Sequence, residues 1–290
     1  MKLSFILTLI FFLFVSCNNN TSSSYKKNNA NNLLIDDKVT VYSLFSYLAQ
    51  KELPWKNNFN INSFINSVLQ KAINDNLKLF SCIYDDTTYI EIDKENLKEE
   101  LNKYLSDTFK FSAILFYESW SLDTNNHFFN LTKNVEYWAP IIITNNKLKT
   151  TFKIKCTTDN NKLLTNKVFY EYPLYDTLLE NTQLNKKKLV KILINWALNN
   201  PEKVYNPFTA KPMNKKELYN KLNIYNDKYI PYNDINSLIF VENWYYNKNN
   251  YSIKKEIIAL APVIYTYEND EIQKQIIFVV HYQKEPFALL

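Results

Sequence analysis

The chain has 290 residues, 46% of them hydrophobic, and a net charge of +5, enough apolar material for two small domains or one two-lobed domain. Gly is absent and every basic residue is Lys, which excludes phosphate loops and dinucleotide fingerprints, both of which need Gly for close backbone approach, and removes bidentate Arg recognition. The Lys are interspersed with Glu and Asp and form no basic stripe along the sequence, so nucleic acid is not an expected partner.

Lys2 is followed by an apolar run from Leu3 to Val15 and then Ser16-Cys17. A positive start, a short apolar core and a small residue before the cut are the marks of a secretory signal over residues 1–16. The run is too short to span a hydrocarbon layer of about 30 Å as a helix. Phe14-Val15-Ser16-Cys17 is similar to a bacterial lipobox, so Cys17 is the expected lipidation site. Several acyl chains would hold the protein on the membrane. Residues 17–33 are rich in Asn, Ser, Thr and Lys, a composition that cannot bury apolar surface and predicts a disordered tether. Asn occurs 42 times in all and is the expected occupant of left-handed turn positions in a chain without Gly.

Beyond the tether the pattern predicts elements in pairs. Ile61, Phe64, Ile65, Val68, Leu69, Ala72 and Ile73 follow helical spacing and predict an amphipathic helix over 61–76. Leu189, Val190, Leu193, Ile194, Ala197 and Leu198 repeat that face and predict its partner over 186–199. Second helices start at Asp93 and at Asn214, where Glu217 completes a capping-box pattern. Residues 111–122 and 235–246 are rich in aromatic and branched residues and predict strands. Asn-Asn and Asn-Asp pairs mark the turns that follow, and further strands end near Ile143 and Tyr267 and cover 147–156 and 271–282. Phe116-Tyr117-Glu118-Ser119-Trp120 through Ala139-Pro140 returns as Phe240-Val241-Glu242-Asn243-Trp244 through Ala261-Pro262.

The expected class is therefore α+β, with two tandem repeats, each of two helices followed by a three-stranded antiparallel meander. Unit one is assigned to residues 34–160, a linker to 161–181 and unit two to 182–290. Duplication favours a binding or assembly role, because contact surfaces are copied more readily than active sites.

Candidate chemistry is sparse. Glu118 and Glu242 are of the type used in glycoside hydrolysis, but they fall in different units, and nothing in the sequence brings them together. Glu and Trp two apart on a strand share a face, so Glu118, Trp120, Glu242 and Trp244 are taken as candidate partner-binding residues. Trp120, Trp138 and Trp244 could equally stack on sugars or pack a core. His127 and His281 have no ligand-like spacing with Cys82 or Cys156, so no metal site and no cofactor are expected. Export permits a disulfide between Cys82 and Cys156; two small buried residues are the other reading. No enzyme is expected.

The second unit also carries a resemblance. Glu242-Asn-Trp244-Tyr-Tyr-Asn247-Lys248, followed by Ile257-Ile258-Ala259-Leu260-Ala261-Pro262, resembles the signature of the GldN/PorN gliding-motility proteins. Phe208-Thr209 and the capped stretch from Met213 to Leu218 resemble segments upstream of that signature, and unit one matches more weakly. Ala259 stands where the family has Gly, and Glu256 where it has Arg. The resemblance implies a part of the Bacteroidota type IX secretion and gliding machinery. It also implies a GldK/PorK-like lipoprotein partner, an oligomeric ring under the outer membrane and no enzymatic activity. With Cys17, the expectation is an outer-membrane lipoprotein on the periplasmic face. The alternative is an outer-membrane lipoprotein that binds a glycan or host ligand through its aromatic residues.

Overall fold

The computed structural model describes residues 39–46, 59–75, 77–82, 90–93, 95–96, 99, 111–123, 129–144, 147–157, 162–174, 184–224, 232–268 and 271–289. The signal, the tether, Cys17 and His127 lie outside them, as does most of the helix expected after Asp93.

The long strands form where branched and aromatic residues are densest. In the first unit these are β1 (Val39–Ser46), β2 (Phe111–Asp123), β3 (Asn130–Thr144), β4 (Lys147–Thr150) and β5 (Ile154–Lys155). They make one antiparallel sheet in the order β1-β2-β3-β4, with β5 also paired to β3. The second unit contributes β6 (Lys162–Pro173), β7 (Val204–Tyr205), β8 (Ile235–Tyr246), β9 (Ile253–Glu268), β10 (Glu271–Ile276) and β11 (Val279–His281). Their order is β6-β8-β9-β11-β7, with β10 also paired to β9.

This corrects the expected α+β class of helix–helix–meander repeats. Among the described residues two antiparallel sheets dominate, and each unit begins with an edge strand the sequence reading placed elsewhere. β1 lies in the fragment before the first helix, and β6 lies in the segment assigned as a linker. Val41 pairs with Glu118 just as Val168 pairs with Glu242, so β1 and β6 are equivalent. A β-bulge precedes each of these Glu, between Tyr117 and Glu118 and between Val241 and Glu242.

Helix α1 (Ile61–Asn74) begins at Asn60, whose side chain accepts from the Ser63 amide, and buries the predicted apolar stripe. Helix α2 (Lys186–Asn199) is capped in the same way by Asn185, each cap satisfying an orphan N–H of the first turn. Helix α3 (Lys215–Lys221) carries the capping box of Asn214 and Glu217. The helices do not cover two separate sheets. Phe64 of α1 lies 5.5 Å from the Trp138 ring of its own unit and 6.0 Å from Tyr246 of the other. Trp196 of α2 lies 5.9 Å from Phe129 of the first unit.

One hydrophobic core thus runs through both units. A smaller cluster on the other face of the second sheet, including Val241, Ile258, Ala261 and Val279, is covered by Phe287 and Leu289. Among the described residues the left-handed turn positions are held by Lys167, Ala210, Asn223 and Tyr251, while the turns at Asn125-Asn126, Asn145-Asn146 and Asn269-Asp270 lie outside the described residues. No described helix is long and apolar enough to cross a membrane.

Candidate functional site

The two Glu-x-Trp segments meet in the interior. On β2, Glu118 and Trp120 point to the inner face, and the indole Nε1 of Trp120 donates to Glu118 Oε2 at 2.7 Å. On β8, Trp244 Nε1 donates to Glu242 Oε2 at 2.9 Å. The β-hairpins set a Lys directly opposite each Trp, Lys133 across from Trp120 and Lys255 across from Trp244. Each Lys reaches over to the other unit. Lys133 Nζ donates to Glu242 Oε1 at 2.8 Å, and Lys255 Nζ donates to Glu118 Oε1 at 2.6 Å. Lys255 also lies 3.9 Å from Glu242, so it bridges both carboxylates.

The aromatic packing is crossed in the same sense. Trp120 meets Phe240 at 5.3 Å and Tyr172 at 5.2 Å. Trp244 meets Phe116 at 5.0 Å and Phe45 at 4.8 Å. Lys133 sits over Phe240 and Lys255 over Phe116, at 3.1 and 3.4 Å from the ring centroids. Residue i meeting j while j meets i is the contact pattern of a two-fold interface, here made within one chain.

One position breaks the symmetry. Tyr170 on β6 donates to Glu242 Oε1 at 2.8 Å and also contacts Lys133. Its counterpart on β1 is Ser43, opposite Phe116 as Tyr170 is opposite Phe240, and Ser43 accepts from Lys255 at 3.4 Å.

Burial sets the electrostatics. Removal from water would raise the Glu242 carboxyl, but the ammonium groups of Lys133 and Lys255 outweigh it and hold it below the usual carboxylate value. Burial lowers the Lys133 ammonium to about 8 against the pull of both carboxylates. Burial, followed by the charges of Glu242 and Glu118, pushes the Tyr170 hydroxyl well above its ordinary range. At neutral pH Glu242 is therefore a carboxylate, Lys133 an ammonium and Tyr170 a neutral phenol.

Glu118, Trp120, Glu242 and Trp244 are all 0% exposed. They are brought together, which the sequence did not suggest, but no partner or sugar can touch them from outside. Their expected role as surface contacts is replaced by an internal one: they join the units. Trp138 is equally buried, its indole bonded to the Tyr251 carbonyl at 2.9 Å. The carboxylates also lack what hydrolysis requires, because no water or substrate reaches them.

Cys82 and Cys156 are both free thiols. Cys156 Sγ accepts from the Ile253 amide at 3.3 Å, and burial raises the thiols to about 11 for Cys82 and about 12 for Cys156. The disulfide that export permits is not formed between them. The ring nitrogens of His281 have no hydrogen-bond partner among the described residues; the ring packs between Tyr205 and Phe287. No group of three His, Cys, Asp or Glu gathers as a metal site among the described residues.

Among the described residues, one cleft of about 270 Å³ lies beside the start of α2 and another of about 520 Å³ beside the start of α1, both open to solvent. Neither is lined by a carboxylate, a His or a Cys. Sequence reasoning missed Lys133, Lys255 and Tyr170. The signal for the two Lys was available, because the offset that carries Ala139-Pro140 to Ala261-Pro262 also carries Lys133 to Lys255. No known protein-family model matches the chain, and no curated protein does.

Proposed function

We propose that this chain is a lipid-anchored, non-catalytic assembly component of a gliding-motility or type IX secretion complex in a Bacteroidota-type bacterium. Cys17 carries the lipid and keeps the folded body at the periplasmic face of the outer membrane. A GldK/PorK-like lipoprotein is the expected partner.

The reciprocal pairing of Lys133 with Glu242 and Lys255 with Glu118 carries this reading. The conspicuous carboxylates are neutralised in the interior, and their work is to lock two copies of a unit into one body. Such a body suits a scaffold whose outer faces make contacts. The Glu-x-Trp signature of the GldN/PorN resemblance then marks the architecture, and binding falls to other residues. The glycan reading loses its aromatic platform, because Trp120, Trp138 and Trp244 all lie in the core.

The test is affinity purification of the tagged chain from crosslinked membranes of its own bacterium, read by mass spectrometry. Near-stoichiometric recovery of a GldK/PorK-like lipoprotein is the expected result. Recovery of the chain alone overturns the assembly role. An intact mass with an unmodified Cys17 overturns the anchor separately.

A further inference from the structure

The second unit's helical layer is strongly basic. Residues 186–221 hold nine Lys against only Glu202 and Glu217, so this stretch alone exceeds the net charge of +5 of the whole chain. Lys187, Lys191, Lys211, Lys215 and Lys216 are exposed, and Lys221 is half-buried. None of these six forms a salt bridge with a described carboxylate. The Glu217 carboxylate is occupied in the capping box, where it accepts from the Asn214 amide at 2.9 Å.

An exposed aromatic residue stands among these charges. Phe208 is 56% exposed, at the tip of the loop between β7 and α3. The loop is held in shape. Asn206 Oδ1 accepts from the amides of Phe208 and Thr209 at 2.9 and 3.3 Å, and the Asn206 amide donates to the Lys211 carbonyl at 2.9 Å. Lys221 Nζ lies 5.7 Å from the Phe208 ring. The ring is therefore presented outward at little further cost in conformational entropy.

We propose that this face, formed by Phe208 with Lys211, Lys215, Lys216 and Lys221, docks the body on an anionic phospholipid bilayer. Exposed basic side chains in the same short stretch as a projecting aromatic ring, with Lys221 beside it, suit an interface with acidic headgroups above an acyl layer. The chain uses Lys for every cation, so the choice of partner falls to the projecting Phe208 ring, which can enter the acyl boundary beneath a fluid headgroup layer. The contact is made by the folded body and does not require the acyl group on Cys17.

The test uses the full chain with Cys17→Ser and Phe208→Cys, labelled at position 208 with an environment-sensitive fluorophore. It is mixed with vesicles of phosphatidylcholine alone, or of phosphatidylcholine and phosphatidylglycerol in equal amounts. The expected result is a blue shift with the anionic vesicles only, reversed by added salt. The combined variant K211E/K215E/K216E/K221E keeps its circular dichroism and melting temperature and binds at least about 100-fold more weakly. With residue 208 unlabelled, Phe208→Ser weakens flotation with anionic vesicles several-fold. No shift with anionic vesicles, or an equal shift with neutral ones, overturns the proposal. So does a charge-reversed variant that is folded and binds normally. The purification of secretion components does not read this face, so the two proposals fail independently.

Discussion

Replacing Lys133 with Met removes one ammonium group from the sealed interior and leaves Glu118 and Glu242 to share Lys255. Removing one partner of a buried pair costs about 3–5 kcal/mol, because the charge left behind stays desolvated. Glu242 would keep the Trp244 indole at 2.9 Å, the Tyr170 hydroxyl at 2.8 Å and Lys255 at 3.9 Å. The expected loss for Lys133→Met is therefore at the low end, about 3 kcal/mol. Lys255→Met is the harsher change. It takes away the only ammonium in salt-bridge contact with Glu118 among the described residues, and that carboxylate keeps the Trp120 indole at 2.7 Å. Its expected loss is about 4–5 kcal/mol, a large part of a typical stability of about 5–15 kcal/mol. Urea unfolding at pH 7 measures both, with an unchanged denaturant slope showing that the cooperative unit is intact. The double variant Lys133→Met/Glu242→Gln should be less destabilised than the sum of its parts by about 1–3 kcal/mol, the coupling range of residues in one network. A loss below about 1 kcal/mol for Lys133→Met, or a Lys255→Met variant that is the milder of the two, would refute the reasoning.

Three other measurements probe separate features. Burial holds the His281 imidazole down to about 4 from 6.5. The unfolded chain therefore takes up a proton first as pH falls, and stability is lost between about pH 6.5 and 4. His281→Phe, which suits a ring packed between Tyr205 and Phe287, should flatten the urea midpoint across that window; an unchanged slope would rule His281 out as the source. With the thiols of Cys82 and Cys156 raised to about 11 and 12, a thiol reagent at pH 8 should label neither in the folded protein and both in urea, and fast native labelling would contradict the burial. Asn214→Ala removes the side chain that accepts from Glu217 N at 3.0 Å and should cost about 1 kcal/mol; a neutral result would mean that tertiary packing, not the cap, fixes the start of α3.

Local structure was more legible in the sequence than its assembly. The α2 range and the β8 range read from the pattern coincide with the observed ones, and β2 ends one residue later than expected. The helical stripe of α1 and the aromatic density of β2 and β8 are signals carried within each element. The edge strands were not legible, because equivalent positions differ in type. Ser43 answers to Tyr170 and Phe45 to Tyr172, so only Val41 and Val168 match among the inward residues. Without those strands the helices looked like the cover of two small sheets, whereas α1 and α2 each pack beside both units. The fate of Glu118 and Glu242 was hidden for a different reason. Their partners lie more than a hundred residues away in the chain, and a contact between copies leaves no periodicity within either. The basic layer was likewise masked, because a count over the whole chain dilutes nine Lys with carboxylates from elsewhere.

Two identical subunits joined about an axis must show the outside world the same face twice. Once both copies are written in one chain, that obligation ends. The interior here keeps the old reciprocity in its crossed Lys–Glu pairs, while Ser43 and Tyr170 already differ, and Thr151 and Lys153 stand at the sheet positions where the second unit has Ile277 and Val279. The two units are therefore not interchangeable: a change can be made on one side of the crossed pairs without being made on the other.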